Sequence, residues 1–263
     1  MKRKFKLLNI LCVVSFIVIL FTGCGKKIET IKAPTAQEAI DLFNQYNLES
    51  NIEEMVKLYS DVYIESVGYT PKQIIKMIKS NRSKATINSS TIKSMEDIDE
   101  NTKKAVVTIS ATVNGEESTD DYIYAIVKEG DGWAVSPDGV TGCVSFDVPA
   151  PKNGELNLNL SKEIIQFDGV TIRVDVYNDS KTNYIFGTDD SKTEVIVETT
   201  EGTYNNILEE SATVNKRTKS YFMAKIADIK GDITKVTVTS IYDADKDGNP
   251  VLDTKREITA YSK

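Results

Sequence analysis

The sequence predicts an α+β N-terminal domain, with three helices on a curved antiparallel sheet, followed by an all-β sandwich. Three observations lead there. Apolar residues recur at helical spacing from residue 35 to about 80, the period shortens to two from about residue 85, and a proline-marked break at 149–154 precedes a second stretch with no helical stripe. Helices followed by strands, rather than alternating with them, favour layers of helix on sheet over a parallel α/β fold.

Ahead of these domains, Lys2, Arg3, Lys4 and Lys6 form a cationic head with no acidic residue beside them. Leu7 to Phe21 is apolar apart from Asn9 and Ser15, and Phe21-Thr22-Gly23-Cys24 closes the segment with small residues and a cysteine. A membrane-spanning helix needs about 20 apolar residues, and this run is shorter, in the range of a signal-peptide core. The order of charge, apolar run and terminal cysteine resembles the export signal and lipobox of bacterial lipoproteins. That resemblance implies cleavage after residue 23, a diacylglyceryl group on Cys24, and a place on the outer face of the cytoplasmic membrane. Residues 24–34 then read as a lipidated tether. Two acyl chains would make such an anchor stable, each buried methylene contributing about 0.8 kcal/mol.

The first helix starts at Thr35, with Glu38 completing a capping box and Ala39, Ile40, Leu42, Phe43 and Tyr46 giving one apolar face. Asn51 with Glu54 repeats the capping pattern ahead of Ile52, Met55, Val56 and Tyr59. Thr70-Pro71 opens the third helix, proline suiting the first turn, and Ile74, Ile75, Met77 and Ile78 form its buried side. Ala105, Val107, Ile109, Ala111 and Val113 then alternate with polar or β-branched residues, as a strand does. Asn114-Gly115 predicts a tight hairpin, Tyr122 to Val127 the return strand, and Gly130-Asp131-Gly132 a turn into Trp133. This order, with the closing run Gly130–Ser136, resembles the cone-shaped cystatin-like superfamily that includes nuclear transport factor two. The likeness spans roughly residues 33–148, with the domain itself placed at 35–148, and it implies a cavity between helices and sheet. Because that fold serves enzymes and binding modules alike, it assigns no chemistry.

Residues 149–154 read as a linker stiffened by Pro149 and Pro151. Over 155–263 about seven short strands are expected: around 156–160, 170–176, 184–187, 194–199, 219–226, 233–242 and 251–261. Turn signals between them point to a sandwich of immunoglobulin type. The stretch from Val170 to Phe186, with Gly202–Asn206, resembles the telokin-like immunoglobulin domains of Gram-positive lipoproteins. In those a strand ends in Asn and an aromatic re-enters the core, roles that would fall to Asn178 and to Phe186 or Tyr184.

Composition narrows the function. The chain has 263 residues, 40% of them hydrophobic, and a net charge of −7. Without the basic signal segment the remainder carries 28 basic and 39 acidic side chains, a balance of −11 that argues against nucleic acid as a partner. Cys12 would leave with the signal and Cys24 would carry lipid, so Cys143 stands alone, expected as a small buried hydrophobe. Histidine is absent throughout, which removes Ser-His-Asp and Cys-His catalysis and HExxH-type zinc proteases.

One motif stands out: Asp243-x-Asp245-x-Asp247-Gly248-Asn249 matches the first half of a calcium loop. Thr254 occupies the position of the closing glutamate, with Asp253 one residue earlier as a substitute. Two readings stand: a solvated hairpin tip, favoured by the strand-like flanks, and a calcium site built from Asp243, Asp245, Asp247, Asn249 and Asp253. Ser90-x-x-Lys93 lacks the partner motifs of penicillin-binding enzymes and reads as coincidence. Asp120-Asp121 and Asp189-Asp190 read as solvated turn carboxylates, and Tyr46, Tyr59, Tyr63 and Tyr69 as core residues with wet hydroxyls. The leading expectation is a non-catalytic surface lipoprotein that binds an envelope partner. The alternative is a carboxylate- or tyrosine-based enzyme, or a small-ligand binder, in the cone of the first domain. A transporter's solute-binding component ranks last, since repeated β-α lobes are missing.

Overall fold

The structure, a computed structural model, describes residues 30–82 and 85–263, so Cys24 and the signal segment lie outside the described residues. It divides into two compact units between Cys143 and Val144. No helix among the described residues is long and apolar enough to cross a membrane.

The first unit is α+β. Its helices are α1 (Ala36–Leu48), α2 (Ile52–Lys57), α3 (Asp61–Val67) and α4 (Pro71–Asn81). Its strands β1 (Ala85–Asp97), β2 (Thr102–Val113), β3 (Glu116–Glu129) and β4 (Gly132–Ser136) pair in that order as an antiparallel meander. Thr35 Oγ1 accepts from Glu38 N at 3.1 Å, and Thr70 and Gln73 form the full reciprocal box. Asn114 and Gly115 both take positive φ, 52° and 86°, as a two-residue hairpin turn of primed type requires.

Three expectations need correcting. A further helix, α3, follows the second apolar stripe, giving four in place of three, and the two are separate because the backbone at Leu58-Tyr59-Ser60 turns to pair with β4. Val135 N donates to Leu58 O at 2.8 Å and Ser60 N to Val135 O at 2.9 Å. Ser60 then caps α3 by accepting from Tyr63 N at 3.0 Å. The Asn51 side chain makes no capping bond; its backbone N–H instead satisfies Tyr46 O at the end of α1, at 2.9 Å. Strand β1 was not anticipated as one long element, because its Ser- and Thr-rich sequence carries two bulges against β2 that break the alternation.

The core of this unit lies between helices and sheet. Ile40, Phe43, Met55, Val56, Tyr59 and Ile74 meet Val107, Ile109, Tyr124, Ile126 and Val135.

After a short 3-10 turn at Pro137–Gly139, β5 (Val140–Ser145) carries the chain into the second unit. Cys143 on β5 is half-buried, not a core residue, because this strand is leaving one core for another. The second unit is all β: β6 (Leu156–Gln166), β7 (Gly169–Asn178), β8 (Tyr184–Phe186), β9 (Thr193–Thr199), β10 (Thr203–Leu208), β11 (Ala212–Val214), β12 (Thr218–Ile226), β13 (Ile233–Ala244) and β14 (Pro250–Ser262). One sheet runs β12-β7-β6-β5 and the other β10-β9-β13-β8-β11, with β14 also on β13. The two sheets enclose one core, with Leu158, Leu160, Ile172, Val174 and Val176 meeting Val195, Val197, Val236, Val238 and Ile241. Strands β10 and β11 add to the seven expected; β10 has no buried apolar residue to mark it, and β11 is three residues long.

At the end of β7, Asn178 is 1% exposed and saturated. Its Nδ2 donates to the carbonyls of Thr182 (2.9 Å), Val214 (3.3 Å) and Asn215 (3.1 Å). Its Oδ1 accepts from Ser180 N (3.0 Å) and Ser180 Oγ (2.7 Å). One amide thus pins the β7–β8 turn to the β11–β12 turn, and Tyr184 and Phe186 re-enter the core just beyond it.

Candidate functional site

The sequence-predicted metal ligands are not drawn together. The Asp243 carboxylate on β13 pairs with the Arg256 guanidinium on β14. Asp245 turns its Oδ1 back onto its own loop, accepting from Asp247 N at 2.8 Å and Asn249 N at 2.9 Å. These backbone bonds, that of Asn249 foremost, hold its carboxyl below the usual range. Asp247, Asn249 and Asp253 are exposed. Among the described residues no group of three or more acidic, Cys or His side chains is placed to hold a metal ion.

The other motifs resolve as structural pairs. Ser90 faces inward and donates to Asn44 Oδ1 at 2.9 Å, whereas Lys93 pairs with Asp121 at 2.6 Å on the outer side. Asp121 also accepts from Thr108 Oγ1 at 2.6 Å, and Lys93 first, then Thr108, hold its carboxyl below the usual range. Asp189 and Asp190 are exposed. No Asp or Glu is buried among the described residues; the buried polar side chains are Asn, Ser and Thr.

One aromatic cluster in the first unit joins the helices to the sheet. Tyr59, carried between α2 and α3, is 5% exposed, and Tyr124 on β3 is 6% exposed. Phe43 of α1 lies between them, its ring centroid 6.0 Å from Tyr59 and 5.1 Å from Tyr124. Tyr63 packs edge-on to Tyr59 at 5.1 Å. The only cation acting on both phenols among the described residues is Arg82, the C-cap of α4. Arg82 donates through Nη1 to Asn47 O at 3.3 Å and through Nη2 to Asn47 Oδ1. These bonds cap the C-terminal end of α1 and set a positive charge at its negative pole.

Cap duty uses only part of the guanidinium, which carries five N–H donors. No carboxylate among the described residues lies within ion-pair distance of Arg82, although the structure has a dozen other such pairs. Among the described residues the enclosed side-chain oxygens without a hydrogen-bond partner are those of Ser118, Ser136 and Thr237, and not the two phenols. Burial pushes both phenols well above the ordinary tyrosine range, so they stay protonated and act as donors. Tyr122 on β3 is raised for the same reason, with Asp120 and Asp138 adding to it. Asp138 is exposed and its negative charge acts on all three tyrosines. Sequence reasoning placed Tyr59 in a helix–sheet core but missed Tyr124 and Arg82. The Tyr122-x-Tyr124 alternation on the return strand was a legible signal, whereas Arg82 follows several lysines and stands out from none of them.

No family model matches the chain, and no curated protein matches it. Among solved structures, an NTF-2-like protein of unknown function from Shewanella oneidensis is similar at 12% identity. The match covers 38% of this chain and 90% of that one, with a TM-score of 0.31. A likeness at that level assigns neither ligand nor activity.

Proposed function

We propose that the chain is a lipid-anchored, non-catalytic binding module of a Gram-positive cell envelope. Its first unit makes ligand contacts, and its second, of immunoglobulin type, serves as scaffold or docking surface for an envelope protein. The observation that carries the binding reading is the aromatic cluster of Phe43, Tyr59, Tyr63 and Tyr124, which joins the helices to the sheet of the first unit with no buried carboxylate among the described residues beside it. An acid–base enzyme is less well supported, because phenols held protonated are poor bases and the carboxylates sit at the surface. The anchor is supported by the residues up to Cys24. The immunoglobulin assignment is supported by two antiparallel sheets around one core and by the Asn178 clamp.

Two readouts test this together. Cells grown with a clickable palmitate analogue should label the wild-type protein and not Cys24→Ser. In-cell cross-linking of the labelled protein should capture the same envelope partner reproducibly. Label that persists on Cys24→Ser would remove the anchor, and a protein that captures nothing would remove the envelope-partner half of the proposal.

A further inference from the structure

We infer that the lysine face of α4, formed by Lys72, Lys76 and Lys79, is a contact surface for anionic phospholipid headgroups that holds the first unit against the membrane. This goes beyond the binding-module reading and rests on the lipid anchor within it.

Charge along the chain is the first ground. From Ser66 to Met95 there are six basic residues and no acidic one, in a chain whose net charge is −7. Within that run α4 sorts its residues by face. Ile74 is buried and Ile75 and Ile78 pack on the same core, whereas Lys72, Lys76 and Lys79 are exposed. At 3.6 residues per turn, spacing of i, i+4 and i+7 lines the three lysines along the side opposite Ile74 and Ile78, over about 10 Å. A basic row on an amphipathic helix complements a plane of phosphate charges. Glu53 of α2 pairs with Lys79 at 2.7 Å, but the two side chains are 63% and 53% exposed. A pair so open to water contributes little, and a headgroup phosphate can take the place of the carboxylate.

The path of the chain is the second ground. Ile31 N donates to Lys57 O at 2.7 Å, and Lys57 stands one turn along α2 from Glu53, the partner of Lys79. The segment that leads from Cys24 therefore joins the unit beside the lysine face. Ile31 is seven residues after Cys24, so even a fully extended tether reaches about 25 Å at most. Lys26 and Lys27 add basic charge next to the lipid site. Each lysine near an anionic surface strengthens the contact about five-fold, which is weak for a free protein but sufficient to orient a tethered one.

The full chain, extracted from membranes, is reconstituted in vesicles of phosphatidylglycerol and phosphatidylcholine in equal parts, and in vesicles of phosphatidylcholine alone. Brief labelling with an amine-reactive ester, read by mass spectrometry, gives the reactivity of each lysine in both. Lys72, Lys76 and Lys79 should label roughly ten-fold more slowly on the anionic vesicles, in line with about five-fold per lysine. That protection should vanish in about 1 M salt, where the Debye length falls to about 3 Å. Lys93 and Lys104, paired with Asp121 and Glu96 on the outer side of the sheet, should label alike in both. Lys72→Gln with Lys76→Gln should melt like wild type and lose most of the protection at Lys79. Glu53→Gln, which frees Lys79, should deepen it. Equal labelling of the α4 lysines in the two vesicles overturns the inference, and so does protection that salt leaves in place. Protection of Lys93 and Lys104 to the same degree would mean that no face is preferred, and protection in cells but in neither vesicle would assign the face to a protein partner; either result overturns it too. Palmitate labelling is read separately. A labelled protein whose lysines react evenly loses this surface and keeps its anchor, whereas a protected face on a chain without label keeps the surface and removes the anchor.

Discussion

Two sets of buried side chains that carry polar atoms, one in each unit, are held in different ways. In the all-β unit Asn178 vanishes from solvent with both ends of its amide saturated by two turns. In the α+β unit Tyr59 and Tyr124 are nearly as buried, but they are held by ring packing on Phe43. A saturated buried amide fixes its fold through hydrogen bonds, whereas a packed tyrosine fixes it through the area of its ring. The difference is measurable. Asn178→Ala strands three carbonyls and the Ser180 donors, and should cost about 3 kcal/mol or more in urea unfolding followed by circular dichroism. Tyr59→Phe and Tyr124→Phe, which keep the rings, should cost close to nothing. If Asn178→Ala were equally silent, the contrast between the units would collapse.

A second comparison concerns hairpins. Gly169 opens β7 at φ 136°, and a Cβ added there would sit 2.2 Å from Ile226 O, a backbone atom that cannot swing aside. Gly115, at φ 86° in the first unit, has nothing within 4 Å of the same added atom. Gly169→Ala should therefore destabilise by about 2 to 4 kcal/mol through clash and strain together, and Gly115→Ala by about 1 kcal/mol through strain alone. Chemical denaturation of both variants gives the ranking; equal losses would mean that β12 yields at Ile226.

Much of the fold was legible because the residues that make it speak locally. Thr70-Pro71 with Gln73 is a helix start in four letters, Asn114-Gly115 is a hairpin in two, and the β7 alternation from Val170 to Val176 survives intact as one buried face. What escaped depended on partners distant in sequence. The break after α2 exists because β4, some 75 residues later, pairs with Leu58 and Ser60. The bulges of β1 are set by β2 and erase the period that would reveal the strand. The candidate site escaped for the same reason: Tyr59, Arg82 and Tyr124 come from three elements, and none carries a motif by itself. The calcium-like run was the reverse case, a strong local pattern whose carboxylates take up separate local partners.

Smaller effects sharpen the contrast through pH. Glu163 on β6 has its carboxyl pushed up by burial, with the Asp232 charge adding to this. A carboxyl raised in the folded state favours folding below its unfolded value, near pH 4.3, and loses that contribution as pH rises through the folded value. At pH 7 the ionised group is thus a liability. Glu163→Gln should stabilise by about 0.5 kcal/mol at pH 7, discounted because the carboxyl is partly exposed, and by nothing near pH 4. Thermal melts at the two pH values check the sign; a gain that is the same at both would point to packing.

The smallest expected effect lies at the β13–β14 tip, where Asp245 has the opposite linkage. Its carboxyl is held low by the N–H groups of Asn249 and Asp247, so what it gives the turn is present above the unfolded carboxylate range and lost as pH falls through the folded value. Asp245→Ala should therefore lower Tm by about 2 °C or less at pH 7, as surface substitutions do, and by less still at pH 3. Calorimetry with calcium chloride separates the two readings of this run. A tip that serves as a turn gives no saturable heat, because Asp243 is engaged by Arg256 and Asp245 by its own backbone. Saturable heat abolished by Asp245→Ala would mean that the ion displaces those partners, and that a loop closed on itself here opens to hold a cation.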